Sequence, residues 1–228
     1  MTLKETFDNE SKFYDEFIVK TVPYYATIIK EASNLLPYKN DAEIDILDVG
    51  IGTGNFEVEL FSRYKSVRVD GIDVSENMLT VAKEKKFVKN ANINFIAADV
   101  LNFVPQNNKR YDLVVMSLLL HNFDGVEEKT RVLRNTISLL KAGGFLLLID
   151  LIKFSNIVIQ TKVTEEYNQF LHHANGVTEG ENWRQLLEKE DKPETIETLT
   201  EITQQLGLSQ PTILCQKLNF SAMLFRFP

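Results

Sequence analysis

The stretch Asp48-Val49-Gly50-Ile51-Gly52-Thr53-Gly54 decides the fold of this 228-residue chain. It follows a short apolar run, 44–49, that predicts a strand, and it precedes a predicted helix from Phe56 to Tyr64. Glycines at such a junction allow a tight turn and let the backbone approach a ligand closely. Open α/β sheets bind ligands at the carboxyl ends of their strands. The stretch therefore predicts a ligand-binding loop in an α/β domain.

The rest of the chain alternates short apolar runs with amphipathic ones. Strands are predicted at 67–72, 93–97, 113–116 and 145–149, with helices at 75–87 and 127–140, the latter ended by Gly143-Gly144. Strands that alternate with helices of this length predict a parallel sheet. A last helix, opened by Pro193 and stopped by Gly207, precedes two strands, Thr212–Lys217 and Phe220–Phe227. Leu218-Asn219 between them predicts an antiparallel pair.

Details of the glycine loop separate the possible ligands. A dinucleotide motif G-x-G-x-x-G needs glycine at position 55, which is Asn55, and no lysine follows as in a P-loop. The carboxylate of Asp48 would repel a pyrophosphate but attract a ligand that carries an ammonium and a sulfonium. S-adenosylmethionine has both cations and no phosphate. An NAD-dependent dehydrogenase remains the alternative at this point.

Two further acids end the next two predicted strands. Asp73 stands 19 residues after Gly54, where an acid can bind the ribose hydroxyls, and Asp99 is placed to bind the adenine amino group. Either acid alone could be a helix cap or a turn residue. Three strand-end acids beside one glycine loop favour a shared adenosine site.

These motifs resemble the class I S-adenosylmethionine-dependent methyltransferase family over nearly the whole chain. Tyr111-Asp112-Leu113-Val114-Val115 looks like its fourth strand, and Leu140-Lys141-Ala142-Gly143-Gly144 like its LKPGG turn, with Ala142 in place of proline. The resemblance implies a Rossmann-like, seven-stranded, mostly parallel sheet with helices on both faces and the last strand antiparallel. It implies that S-adenosyl-L-methionine is bound by Asp48, Gly50, Gly52, Gly54, Asp73, Val74, Met78, Asp99, Val100 and Ser117.

One branch of that class resembles this chain in two further places. Val22-Pro23-Tyr24-Tyr25 and Ala174-Asn175-Gly176 look like the carboxy-S-adenosylmethionine synthase family, which serves tRNA wobble-uridine modification. That resemblance implies a role for Arg184 toward a carboxylated cofactor. The branch degrades the first glycine motif, which is intact here, so ordinary S-adenosylmethionine is favoured.

The chemistry is expected beyond the fourth strand, around Ser117–Asn122. His121 is the candidate general base or substrate contact, with a structural histidine as the alternative. Tyr14, Tyr25, His121 and Arg184 are the candidate substrate-binding residues, and His172 and His173 could reach the site. We expect one domain with a helical cap (1–40), a cofactor-binding core (41–153), a helical insertion that acts as a lid (154–190) and a C-terminal helix and strand pair (191–228).

The net charge and the cysteine content of the chain limit the kinds of partner and metal site that are expected. The net charge of −7 disfavours a large nucleic-acid footprint, and the lysines at 83, 85, 86 and 89 are predicted to form a solvated helix face. The single cysteine, Cys215, excludes a multi-cysteine metal site, so no metal is expected. The N-terminus lacks the apolar run of a signal peptide, and no apolar run is long enough to span a membrane. We expect a cytoplasmic monomer or homodimer that methylates a small molecule. A non-catalytic cofactor-binding protein is the second possibility.

Overall fold

A mostly parallel sheet forms the centre of the protein. The computed structural model describes residues 11–86, 88 and 91–228. Its strands are β1 (Glu43–Val49), β2 (Ser66–Asp73), β3 (Asn92–Ala97), β4 (Tyr111–Ser117), β5 (Leu140–Lys153), β6 (Glu194–Thr195), β7 (Thr212–Lys217) and β8 (Phe220–Arg226). Seven of them follow the order β3-β2-β1-β4-β5-β8-β7, and the two-residue β6 pairs with the end of β5.

The strand order places a topological switch point at β1. On one side β1 pairs with β2, Glu43 opposite Ser66, and on the other side with β4, Ile46 opposite Leu113, both in parallel. Strand β8 runs antiparallel to both β5 and β7. The predicted seven-stranded sheet with an antiparallel last strand is therefore confirmed, and β6 adds a short eighth strand. A crevice for a ligand is expected at the carboxyl ends of β1 and β4.

Helices cover both faces of the sheet. They are α1 (Tyr14–Thr21), α2 (Tyr25–Asn34), α3 (Asn55–Arg63), α4 (Glu76–Glu84), α5 (Gly125–Ile137), α6 (Ile157–Asn175), α7 (Val177–Glu190) and α8 (Ile196–Gln205). One buried core joins α1, α2 and α3 to the sheet, with Ile28 and Leu60 at its centre. The other joins α5 and α8 to the opposite face, with Leu133 and Ile202. None of the described helices is long and apolar enough to cross a membrane.

Helices α6 and α7 form the hairpin that corresponds to the predicted helical insertion. Gly176, at φ +81°, makes the turn, and Gly180 lets the helices approach so closely that an added Cβ would lie 2.7 Å from the Leu171 carbonyl oxygen. Two side chains of α6 bind the end of α1: Tyr167 donates to the Thr21 carbonyl at 2.9 Å, and Asn175 to the Lys20 carbonyl at 3.0 Å. The hairpin and the N-terminal helices therefore form one layer. The division of the chain at residues 40, 153 and 190 stays a prediction.

Two local predictions need correction. Gly143-Gly144 does not end a helix, because α5 ends at Ile137 and the pair lies inside β5. Gly143 adopts φ +78°, and the register between β4 and β5 shifts over this segment, so the glycines form an irregularity of the strand. The helix predicted at 75–87 ends at Glu84, and Phe87 and Lys89 lie outside the described residues.

Candidate active site

The glycine loop connects β1 to α3 through three left-handed residues. Gly50, Gly52 and Gly54 have φ values of +75°, +56° and +77°, which residues with a Cβ rarely adopt. A Cβ on Gly50 would lie 3.0 Å from the Leu119 Cδ1 atom. The loop is pinned to β2, because the backbone amides of Gly50 and Ile51 donate to the Ile72 carbonyl at 2.8 and 3.0 Å. Glycine is thus required for backbone shape.

Asp73 and Asp99 lie at neighbouring strand ends, as predicted. Each Asp73 carboxylate oxygen accepts a backbone amide, from Gly52 and from Ser75, both at 2.8 Å, so this acid also holds the loop in place. Asp99 accepts the Leu101 amide at 2.9 Å and so shapes the turn after β3. The possible role as a turn residue and the predicted role at the cofactor site are therefore compatible for both acids.

A first cavity of about 250 Å³ opens at this edge of the sheet. It is lined by most of the predicted cofactor residues, among them Gly50, Gly52, Asp73, Val74, Met78, Asp99, Val100 and Ser117. A smaller cleft beside it is lined by Asp48, Tyr25, Thr53 and Asn55 and shares Gly50, Gly52 and Ser117 with the first cavity. Among the residues that the structure describes, no arginine or lysine lines either space. An adenosine with a cationic tail and no phosphate fits this chemistry, which supports S-adenosylmethionine.

The buried carboxylate of Asp48 supplies an independent test of that fit. Asp48 is 1% exposed, and its Oδ1 atom receives no hydrogen bond from an amide, hydroxyl or ammonium group of the described residues. An unpaired buried carboxyl is costly unless a cation or donor from a ligand reaches it. Burial and the nearby charge of Glu57 raise the pKa of Asp48 well above its ordinary value.

A second cavity of about 590 Å³ adjoins the first, and Tyr14 and Leu118 line both. It lies between α1, the α6–α7 hairpin and the segment after β4. Its lining is rich in aromatic rings: Tyr14, Phe17, Tyr167, Trp183 and Phe220. Phe17 and Trp183 meet edge to face with ring centroids 4.9 Å apart. The size and apolar walls suit a small organic ligand.

His121 lies in the wall of the second cavity in a fixed orientation. It belongs to a short 3-10 turn, Leu120–Asn122, and its side chain is 13% exposed. Its Nδ1 atom lies 2.5 Å from Oδ1 of Asp150, which is 2% exposed, and Oδ2 of that carboxylate accepts the Leu120 amide at 2.7 Å. Asp150 therefore fixes the ring and leaves Nε2 as the nitrogen that can act on a ligand.

The electrostatics around His121 favour a basic imidazole. Burial lowers the pKa of His121, but the charge of Asp150 and the hydrogen bond to it outweigh burial, so the pKa lies above its ordinary value. Asp191 lies 3.8 Å from Nε2, and burial raises the pKa of its carboxyl. The backbone amide of Lys192 donates to the His121 carbonyl at 2.8 Å, which ties the end of the hairpin to this turn.

The structure places other candidates elsewhere. Arg184 binds Glu181 and Glu188 on its own helix and lines neither cavity, so its role toward a substrate stays a prediction. His172 lies 3.7 Å from Glu181 within the hairpin, and His173 is exposed. Tyr25 lines the cleft beside Asp48, whereas Tyr14 reaches both cavities.

The predicted solvated lysine face is correct for Lys83 and Lys86 but wrong for Lys85. The Lys85 ammonium lies 2.8 Å from Oδ2 of Asp15 on α1 and 2.5 Å from Oδ1 of Asn55. Asp15 also accepts the Thr53 hydroxyl at 2.6 Å. Lys85 is therefore part of a clasp that joins α1 to the glycine loop.

Sequence reasoning missed several residues of the site. Asp150 directly follows the apolar run 145–149, so the strand-end rule that selected Asp48 could have selected it too. Leu118 adopts the left-handed φ of +52° where the two cavities meet, and no local sequence signal announces that conformation. Asp191 contributes through a contact with the distant His121, and Glu57 through the direction of its side chain toward Asp48, and a linear pattern shows neither.

Known proteins similar to this chain include methyltransferases. Residues 46–144 match a family model described as a methyltransferase domain. The chain is 28% identical over 227 residues to carboxy-S-adenosyl-L-methionine synthase 1 of Yersinia pseudotuberculosis, covering 96% of this chain and 92% of that one. It is 33% identical over 128 residues to malonyl-[acyl-carrier protein] O-methyltransferase 1 of Ilyobacter polytropus, which is 55% of this chain. The match spans about half of that relative's length, 46%.

Solved structures show the same fold. An O-methyltransferase family 2 protein from Planctomyces limnophilus in complex with apigenin superposes with a TM-score of 0.71 at 15% identity, covering 100% of this chain and 62% of that one. The N-methyltransferase NodS from Bradyrhizobium japonicum, in complex with S-adenosyl-l-homocysteine, has a TM-score of 0.65 at 15% identity and covers 99% and 98%.

The sheet and the glycine loop form a Rossmann-like fold, and the acids around the loop, together with the methyltransferase-domain match, support S-adenosyl-L-methionine as the cofactor. Residues 46–144 thus match a methyltransferase domain, and the relatives found for the chain act with S-adenosyl-L-methionine or are named methyltransferases, so the chain is similar to S-adenosylmethionine-dependent methyltransferases.

Proposed function

We propose that this enzyme transfers a methyl group from S-adenosylmethionine to a hydroxyl of a small aromatic molecule held in the second cavity. The observation that carries the proposal is the His121–Asp150 pair, 2.5 Å apart, in the aromatic wall of a cavity that adjoins the cofactor residues. When bound, the cofactor supplies a methyl group already activated by the sulfonium. The protein then has to position the acceptor and remove its proton.

Each part of the second cavity has a role in this proposal. The rings of Phe17, Trp183 and Tyr167 hold a flat acceptor and exclude water. Nε2 of His121 accepts the hydroxyl proton as the oxygen becomes methylated. Asp150 keeps the proton of His121 on Nδ1 and stabilises the imidazolium that forms. Asp48, Gly50, Gly52, Gly54, Asp73, Val74, Met78, Asp99, Val100 and Ser117 form the proposed cofactor site.

Kinetics of His121→Asn and Asp150→Asn test the assignment. If His121 is the base, its loss lowers kcat by about 10²- to 10⁴-fold, while the affinity for S-adenosylhomocysteine is unchanged. His173→Asn is the matched control, because this exposed histidine lies outside both cavities. Equal kcat values for His121→Asn and wild type would reject the general base.

The full-length similarity to carboxy-S-adenosyl-L-methionine synthases supports a second candidate, the formation of a carboxylated cofactor. A carboxylate at this site needs a cation beside it. Of the described residues, the charged groups that line the second cavity are Glu190, Asp191 and Lys189 along with His121, and Lys189 is ion-paired with Glu190 at 3.0 Å. This acidic lining favours a neutral acceptor over a carboxylate.

A non-catalytic cofactor-binding protein is a further alternative. Mass spectrometry of the purified protein for a co-bound cofactor, followed by a test of methyl transfer to a metabolite pool, distinguishes it from an enzyme. The disfavoured nucleic-acid partner, the cytoplasmic location and the monomeric or homodimeric state all stay predictions from the sequence.

A further inference from the structure

Two carboxyl groups lie against each other beneath the glycine loop. Asp48 ends β1, and Glu57 lies in the first turn of α3; they are 1% and 0% exposed. Asp48 Oδ1 and both Glu57 carboxylate oxygens are buried and receive no hydrogen bond from an amide, hydroxyl or ammonium group of another described residue. The Glu57 backbone amide lowers the pKa of its own carboxyl, and the two carboxyl groups lie close enough together to affect each other's pKa.

Such a pair can be hydrogen-bonded only if it holds a proton, because two ionised carboxylates offer acceptors and no donor. Like charges in a buried site also disfavour double ionisation, so one proton is retained by the pair as a unit. Burial, followed by the charge of Glu57 and the hydrogen bond to it, raises the pKa of Asp48 accordingly.

The pair adjoins the cofactor site through Asp48. Asp48 lines the cleft of about 20 Å³ that shares Gly50, Gly52 and Ser117 with the first cavity. A volume of this size holds one group as large as a water molecule or an ammonium. The titratable groups facing the pair and its cleft are Asp73 on β2, Tyr25 on α2, Tyr14 and Asp15 on α1, and Lys85 after α4. Lys85 binds Asp15 and Asn55.

We propose that Asp48 and Glu57 form a proton-sharing site for the ammonium of the cofactor, and that the ammonium displaces the shared proton on binding. The proton leaves to solvent as the cation enters, so the net charge of the site is preserved. Asp48 is the contact, and Glu57 is a positioning residue that acts through it. The inference rests on S-adenosylmethionine as the cofactor and goes beyond it by assigning Glu57 and a proton stoichiometry.

Calorimetric titration with S-adenosylhomocysteine in two buffers of different ionisation enthalpy measures the protons released. At about pH 6.5 the free amino group of the ligand is already protonated, so a released proton comes from the protein. We expect wild type to release up to one proton per ligand and Glu57→Gln to release none. Asp45→Asn, at the other end of β1, is the matched control and should behave as wild type.

A second ligand tests the proton release with the wild-type protein alone, so the result does not depend on whether a variant folds. 5′-Methylthioadenosine retains the adenosine and lacks the amino-acid tail, so it should bind wild type without releasing a proton. The affinity for S-adenosylhomocysteine should rise about tenfold per pH unit where one full proton is released. Equal proton release with both ligands, or none with S-adenosylhomocysteine, would overturn the proposal. Failure of both ligands to bind would instead refute the cofactor assignment.

Discussion

At the scale of single residues, Asp150 decides whether His121 works as a base near neutral pH. A neutral imidazole accepts a proton, so activity falls as pH drops through the pKa of His121. Because Asp150 raises that pKa above its ordinary value, Asp150→Asn should move the acidic limb of the pH–rate profile to lower pH and also reduce kcat. The measurement is kcat against pH for both proteins. An unchanged limb would show that another group titrates.

Asp73 combines two functions in one carboxylate. It is predicted to bind the ribose, and it holds the amides of Gly52 and Ser75 at 2.8 Å. Asp73→Ala should therefore weaken S-adenosylhomocysteine binding about 10- to 100-fold, the value of one charged hydrogen bond or more, with the fold retained. Asp70→Asn is the control, because this acid of β2 binds Lys109 and Tyr111 instead. Normal binding by Asp73→Ala would remove Asp73 from the site.

The buried acid pair also affects the stability of the free protein. A carboxyl whose pKa is raised on folding stabilises the protein below its unfolded pKa, and this contribution is lost as pH rises through the folded pKa. The free energy of unfolding of wild type should therefore fall more steeply than that of Glu57→Gln over roughly pH 5 to 8. Denaturant unfolding at several pH values measures this. Parallel curves for the two proteins would contradict a retained proton.

At the scale of elements, a clasp joins α1 to the glycine loop, and we expect it to slow release of the cofactor. Lys85→Ala removes the 2.8 Å contact with Asp15 and the bond to Asn55. We expect the Kd for S-adenosylhomocysteine to rise about two- to fivefold, the scale of a partly exposed ion pair, through faster dissociation. Stopped-flow experiments measure the dissociation rate of S-adenosylhomocysteine from wild type, from Lys85→Ala and from the control Lys83→Ala, which changes an exposed lysine of α4. Equal dissociation rates for wild type and Lys85→Ala would show that the clasp does not slow release of the cofactor.

The hairpin of α6 and α7 supports the aromatic wall of the second cavity. Gly180→Ala would bring a Cβ within 2.7 Å of the Leu171 carbonyl oxygen and force the helices apart, at a cost of about 1–3 kcal/mol. Because Trp183 and Tyr167 lie on these helices, KM for the acceptor should rise more than the cofactor Kd. Steady-state kinetics beside the exposed control Thr178→Ala tests this. An unchanged KM would separate the hairpin from acceptor binding.

The helices, strands and loops also show which features of the protein could be predicted from the sequence. The glycine loop, the strands around it and the three strand-end acids follow from local patterns, and the structure confirms their placement. The clasp of Lys85 depends on a segment far away in the chain, and the contact between Asp48 and Glu57 depends on the direction of their side chains. The sequence did not predict that α5 ends at Ile137, because glycines such as Gly143-Gly144 occur both at helix ends and at irregularities within strands.

At the scale of the whole molecule, two adjoining cavities with different linings lie at one edge of the sheet. One carries the glycine loop and the strand-end acids, and the other carries aromatic rings and the His121–Asp150 pair. The net charge of −7 and the acidic groups at the second cavity oppose binding of a polyanion. We propose that the methyl group passes from the cofactor in the first cavity to a small hydroxylated acceptor in the second.

The most direct test uses S-adenosylmethionine with a deuterated methyl group, incubated with the enzyme and a pool of hydroxylated aromatic compounds and followed by mass spectrometry. We predict that S-adenosylhomocysteine accumulates, that the label appears on an acceptor oxygen, and that His121→Asn does neither at the wild-type rate. The opposite result is a cofactor that keeps its labelled methyl group and gains the mass of a carboxyl group. That result would contradict methyl transfer and establish the carboxylated cofactor as the product.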